Sequence, residues 1–126
     1  MKERIQTDAS PRPIGPYSQA IAVEGLLFCA GMGPIDPATS QLVEGGIAEQ
    51  TERTLKNLGG ILEAAGLGYG DVVKTTCYLA DMDDFSAFNE VYATFFGEPF
   101  PARTTIQAAR LPMDILVEIE AVAVRG

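Results

Sequence analysis

The chain has 126 residues, 47% of them hydrophobic, with a formal net charge of -8 and no histidine. Residues 1-126 are enough for one domain with a real core, and the acidity argues against a nucleic-acid partner, whose phosphates call for clustered lysine and arginine. The missing histidine excludes Ser-His-Asp and Cys-His nucleophile pairs and nearly all catalytic zinc arrangements, leaving carboxylate, tyrosine, arginine, backbone and water.

The opening residues Met1 to Asp8 lack the apolar stretch of a secretion signal, and no run approaches membrane-spanning length. A cytoplasmic protein with no membrane partner is expected. Pro11, Pro13 and Pro16 make the next segment extended and turn-like, ending in Tyr17. Ser18 to Val23 and Leu26 to Ala30 read as strands joined by a hairpin at Glu24-Gly25, followed by a glycine-bearing loop from Gly31 to Pro37 that lets backbone approach a ligand. After Gly45-Gly46, Ile47, Thr51, Leu55, Leu58 and Leu62 line one face of a helix that Gly66 closes, with Glu49, Arg53 and Lys56 on the solvated face.

Asp71 to Leu79 reads as a strand. Asp81 to Asp84 then supplies acidic residues at the start of a second helix, whose Phe85, Phe88, Tyr92 and Phe95 form an aromatic stripe read as core. Gly97 and Pro99 stop it. Cys29 and Cys77 each sit alone in an apolar run and read as buried structural thiols, with no metal cluster or disulfide framework.

Two C-terminal strands carry charge. Arg103, Thr105 and Gln107 share a face of one, and Glu118 and Glu120 share a face of Val117 to Val124. A guanidinium suits two-point capture of a carboxylate, and a glutamate can hold or deprotonate water, a combination suited to hydrolysing a small carboxylate-bearing substrate. The simpler alternative is a structural ion pair between edge strands. The element order gives an α+β two-layer sandwich with both helices on one face of the sheet. The other face, expected to bear Arg103 and Glu118, has nothing in the chain to cover it, so self-association is expected.

Ile14-Gly15-Pro16-Tyr17-Ser18-Gln19-Ala20, Glu63-Ala64-Ala65-Gly66, Phe88-Asn89-Glu90-Val91-Tyr92, Pro101-Ala102-Arg103, Ala109-Arg110-Leu111-Pro112 and Glu118 to Ala123 together resemble the YjgF/RidA family of enamine/imine deaminases, from Ile14 to Arg125. The resemblance implies a chorismate-mutase-like α+β fold with a mixed sheet, assembled as a homotrimeric barrel with three active sites in clefts between subunits. It also implies hydrolysis of the 2-imino and enamine acids released by pyridoxal-phosphate-dependent dehydratases to 2-keto acids and ammonia, without cofactor or metal. An imine carbon is already electrophilic, so orientation, a placed water and a proton path suffice.

By the same resemblance Arg103 clamps the substrate carboxylate, Glu118 positions the water, and Tyr17 lines the pocket. Gly31 lines it through backbone, and Asn89 and Thr105 lie beside it. Each has a bland counterpart: Tyr17 packing over the sheet, Asn89 capping a loop, Glu120 pairing with Arg110 or Arg125. Ala30, Met32 and Thr105 stand where many members have serine, glutamine and cysteine, which makes the pocket more apolar. The alternative function is a non-catalytic trimeric binder of keto or imino acids, or a chaperone-like protein. Ribonuclease activity ranks last for an acidic chain without histidine.

Overall fold

The computed structural model describes residues 1–125. In chain order it runs β1 (Glu3–Ile5), β2 (Ala20–Val23), β3 (Leu26–Met32), β4 (Ile35–Asp36), β5 (Gln41–Leu42), α1 (Ile47–Ala64), β6 (Val72–Leu79), α2 (Phe85–Phe95), β7 (Ala102–Gln107) and β8 (Val117–Val124). Six strands form one mixed sheet in the order β1-β2-β3-β8-β6-β7, and β4 and β5 pair separately. Every neighbour in the large sheet is antiparallel except β6 and β7, which run parallel. The crossover through α2 makes that pair possible, since parallel strands need a connection longer than a hairpin.

Both helices cover the same face. Period-2 alternation turns Leu27, Cys29, Cys77, Leu79, Val117, Ile119, Ala121 and Ala123 inward to meet Leu55, Leu58, Ile61 and Leu62 of α1 and Phe88 and Tyr92 of α2. Each such large side chain contributes about 1.5–3 kcal/mol by leaving water. Gly66, at φ 79, ends α1 in a left-handed turn in which Leu67 N donates to Leu62 O at 2.8 Å. No helix among the described residues is long and apolar enough to cross a membrane.

Several elements depart from the sequence reading. β1 and the β4/β5 pair fall where only loop was expected, being two or three residues long and too short to alternate visibly. β2 begins at Ala20 rather than Ser18. β3 runs past Ala30 to Met32 through a register shift between Cys29 and Met32, so both of those point inward while Gly31 faces out. Arg53, expected on a solvated face, is half-buried and donates from Nε to Asn57 Oδ1 at 3.1 Å.

The larger correction concerns the faces. Arg103 and Thr105 are register partners of Thr75 and Cys77, both buried on the helix side, whereas Glu118 pairs with Tyr78 on the open side. Parallel pairing put β7 in phase with the buried residues of β6, so Arg103 and Glu118 lie on opposite faces of one sheet. The open face does present apolar side chains to solvent, Phe28 and Val124 each 45% exposed.

Candidate active site

Arg103 sits under α2. Its guanidinium carbon lies 4.8 Å from the Tyr92 ring centroid and 5.5 Å from those of Phe85 and Phe88, within cation–π range of all three. Of the stripe read as core, Phe88 and Tyr92 are buried, Phe95 is partly buried and Phe85 is exposed, and three of its rings form a cradle. Tyr92 is fixed in turn by a 2.7 Å hydrogen bond with Thr75, the register partner of Arg103. Among the described residues Arg103 has no carboxylate within ion-pair distance, so the expected alternative of a structural ion pair is not formed. Asn89, between Phe85 and Tyr92 on the helix, keeps a buried Oδ1 without a partner, and so does the Thr105 hydroxyl. Asn89 thus caps no loop through that oxygen. Three groups with unused hydrogen-bonding capacity gather on this side: a guanidinium, an amide oxygen and a hydroxyl.

The other expected residues meet on the opposite side of the sheet. Tyr17, Gly31 and Glu118 line one cleft of about 270 Å³, together with Met32, Met113 and Ile115. Tyr17 is 52% exposed there rather than packed flat on the sheet. The register shift in β3 turns position 31 toward Glu118, and a Cβ at Gly31 would overlap the Glu118 carboxylate, its Cδ only 2.8 Å away. Glycine is what lets the acid lie against backbone.

Burial raises the Glu118 carboxyl above the usual glutamate range, and the neighbouring Glu120 charge adds to this. Tyr78 Oη donates a short hydrogen bond to Glu120, and the Tyr78 hydroxyl is pushed up to about 12 chiefly by that bond. The expected pairing of Glu120 with Arg110 or Arg125 does not occur. Arg110 bridges Asp114 and Arg125 bridges Glu3. A carboxyl whose proton is held more tightly than usual can both take a proton from water and return it to a leaving group.

Buried amides that the sequence reading passed over position this cleft. Gln19, 2% exposed, accepts from Thr7 N at 2.8 Å and donates to the carbonyls of Thr7, Ser10 and Pro11, which fixes the N-terminal segment that leads to Tyr17. Asn57, fully buried in α1, donates to Gly33 O at 2.9 Å and Ile35 O at 2.8 Å, holding the loop after β3. Gln50 accepts from Leu116 N at 2.8 Å, just before β8. Polar residues on the inward stripe of an apolar helix were the available signal, since such residues need partners. Cys29 and Cys77 are free and buried, and burial pushes their thiols up to about 12 and about 11, away from nucleophilic use.

One chain thus holds two groups of residues separated by a sheet: a guanidinium, an amide oxygen and a hydroxyl at Arg103, and a carboxyl, a phenol and a bare backbone at Glu118. Residues 7–125 match the model of a family described as Endoribonuclease L-PSP. A RutC family protein of Pyrococcus horikoshii is 55% identical over 123 residues, 98% of each chain. The Mus musculus protein named 2-iminobutanoate/2-iminopropanoate deaminase is 48% identical over 126 residues, 100% of this chain and 93% of that one. The crystal structure of the E. coli YjgF gene product agrees with a TM-score of 0.92 at 41% identity, covering 98% of this chain and 99% of that one. With the family model and full-length relatives in agreement on sequence and fold, the chain belongs to the YjgF/RidA family.

Proposed function

We propose that the protein hydrolyses 2-imino acids, such as those released by pyridoxal-phosphate-dependent dehydratases, to 2-keto acids and ammonia. The sites are shared between copies: Arg103, Asn89 and Thr105 of one chain close over Tyr17, Gly31 and Glu118 of the next. The observation that carries this reading is that, among the described residues, Arg103 is cradled by three rings and has no carboxylate partner, while Glu118, the acid of the cleft, is across the sheet. A substrate carboxylate would complete the first half, and a second copy would bring in the other.

In this mechanism the guanidinium holds the substrate carboxylate by two parallel hydrogen bonds and aims the C=N carbon at the cleft. Glu118 takes a proton from water as the oxygen attacks that carbon. The same proton passes to the nitrogen, the remaining hydroxyl proton follows it by way of the carboxylate, and the C–N bond breaks as the carbonyl forms and ammonia leaves. Relatives named as 2-iminobutanoate/2-iminopropanoate deaminases support the reading. An RNA-cleaving function finds no histidine and a net charge of -8 in this chain.

The test mixes two inactive variants. Arg103→Ala and Glu118→Gln, each assayed alone beside a threonine dehydratase, should not accelerate 2-keto acid formation. Refolded together they should recover about a quarter of parental activity, the fraction of randomly formed interfaces that carry both intact residues. No recovery from mixed assemblies would reject the shared site, and no acceleration by the parent protein would leave a keto-acid binder.

A further inference from the structure

We infer that the Glu118 cleft selects imino acids with an aliphatic or aromatic side chain and that Met113 is the residue that reads it. The inference rests on the reading of this cleft as half of the hydrolytic site. Apart from Arg12, Tyr17, Gln19 and Glu118 its walls are apolar, chiefly Ile14, Met32, Ile35, Met113 and Ile115. Its polar members offer a substrate side chain little. The Gln19 amide is spent on loop carbonyls, and Arg12 is a highly exposed rim residue lying 3.7 Å from Asp8. A polar substituent set among these residues would lose water and find no free partner beyond the exposed Arg12, Tyr17 and Glu118.

Met113 is displayed there by an unusual loop. It occupies the left-handed region at φ 59, ψ 18, and Asp114 follows at φ 54, a costly pair for residues bearing a Cβ. The turn is held from several directions. Asp114 N donates to Leu111 O at 3.1 Å, Ile115 N donates to Pro112 O at 3.3 Å, and Arg110 grips Asp114 through Nε at 3.0 Å and Nη2 at 3.4 Å. Leu111 and Ile115 are buried and anchor both ends. Between them Met113 is half-exposed over the cleft, where burying its own side chain would have been the ordinary outcome for a methionine. A thioether with several rotatable bonds can fold over substituents of different shape, which suits a wall that must close on an apolar group.

The experiment compares binding and turnover across side chains. Calorimetric titration with 4-methyl-2-oxopentanoate, 2-oxopropanoate and 2-oxopentanedioate reads the cleft directly, and the imines of leucine, alanine and glutamate, generated by an amino-acid oxidase, read kcat/KM. The parent should favour the leucine-derived ligand over the alanine-derived one by about tenfold or more, and Met113→Gln, similar in shape but polar, should erase about tenfold of that ratio. Met113→Leu should keep the preference. A flat ratio in the parent, an unchanged ratio in Met113→Gln or a preference for the acidic ligand overturns the inference. Keto-acid preference without any imine turnover upholds it while rejecting hydrolysis.

Discussion

The two halves of the proposed site are built differently. Arg103 rests on regular structure, a strand beneath a helix, with three rings around its guanidinium and a Tyr92–Thr75 hydrogen bond behind them. Glu118 also rises from a strand, but its cleft is walled by the N-terminal segment and by the strained turn at Met113, both loops fastened by side-chain bonds. Capture of an anion calls for a fork that does not move, which packing supplies. Proton handling calls for close approach of backbone to acid and a wall that can adapt, which loops supply.

That contrast breaks most visibly at Glu118. Glu118→Gln keeps shape and hydrogen bonding but removes the base, so kcat should fall about 10²-fold or more while 2-oxobutanoate still binds by calorimetry. Parental turnover in that variant would remove Glu118 from the chemistry. Arg103→Lys keeps the charge and loses the planar fork, so kcat/KM should fall by about 2 kcal/mol of transition-state stabilisation, mostly as KM, with keto-acid affinity falling in parallel. If instead kcat alone drops, the two halves do not divide the labour in this way.

A third substitution touches only the fastening. Asn57→Ala leaves the carbonyls of Gly33 and Ile35 without their donor and should cost about 2 kcal/mol of stability in urea unfolding. An unchanged midpoint would mean the loop holds itself. The smallest expected effect is on pH. With the carboxylate of Glu118 as base, kcat/KM should rise through a midpoint above the ordinary glutamate value, and Glu120→Gln, which removes a repelling charge, should move that midpoint down. The folded state holds this proton more tightly than the unfolded chain. Its contribution to stability is therefore full at low pH and is lost as pH rises from the usual glutamate range through the elevated value. A midpoint unmoved in Glu120→Gln would rule out the neighbour's charge as a cause.

Most of the architecture was legible because its signals are local. Glu24-Gly25 marked the hairpin, and the two adopt φ 48 and φ 81 between paired Val23 and Leu26. Leucines at helical spacing marked α1, and alternation marked β8. The side of the sheet to which each strand turns its charge was not legible. Alternation says that Arg103 and Thr105 share a face, but which face depends on register with β6, a contact between residues far apart in sequence. Phe88 and Tyr92 were visible as core, but the exposure of Phe85 and the cradle role were not, since both require knowing that β7 docks beneath α2. Gln19 and Asn57 were hidden for a similar reason: a buried amide has meaning only once the carbonyls it meets are in place.

The sheet that divides Arg103 from Glu118 makes an isolated chain incomplete, so in the proposed assembly catalysis obeys mass action. Specific activity should be flat at high protein concentration and collapse on dilution through the dissociation constant of the assembly, whereas an enzyme with a self-contained site keeps the same turnover per chain however dilute it becomes. Substrate that bridges the halves would push the midpoint of that collapse to lower concentration. Scarcity of the protein would then switch it off before any inhibitor did.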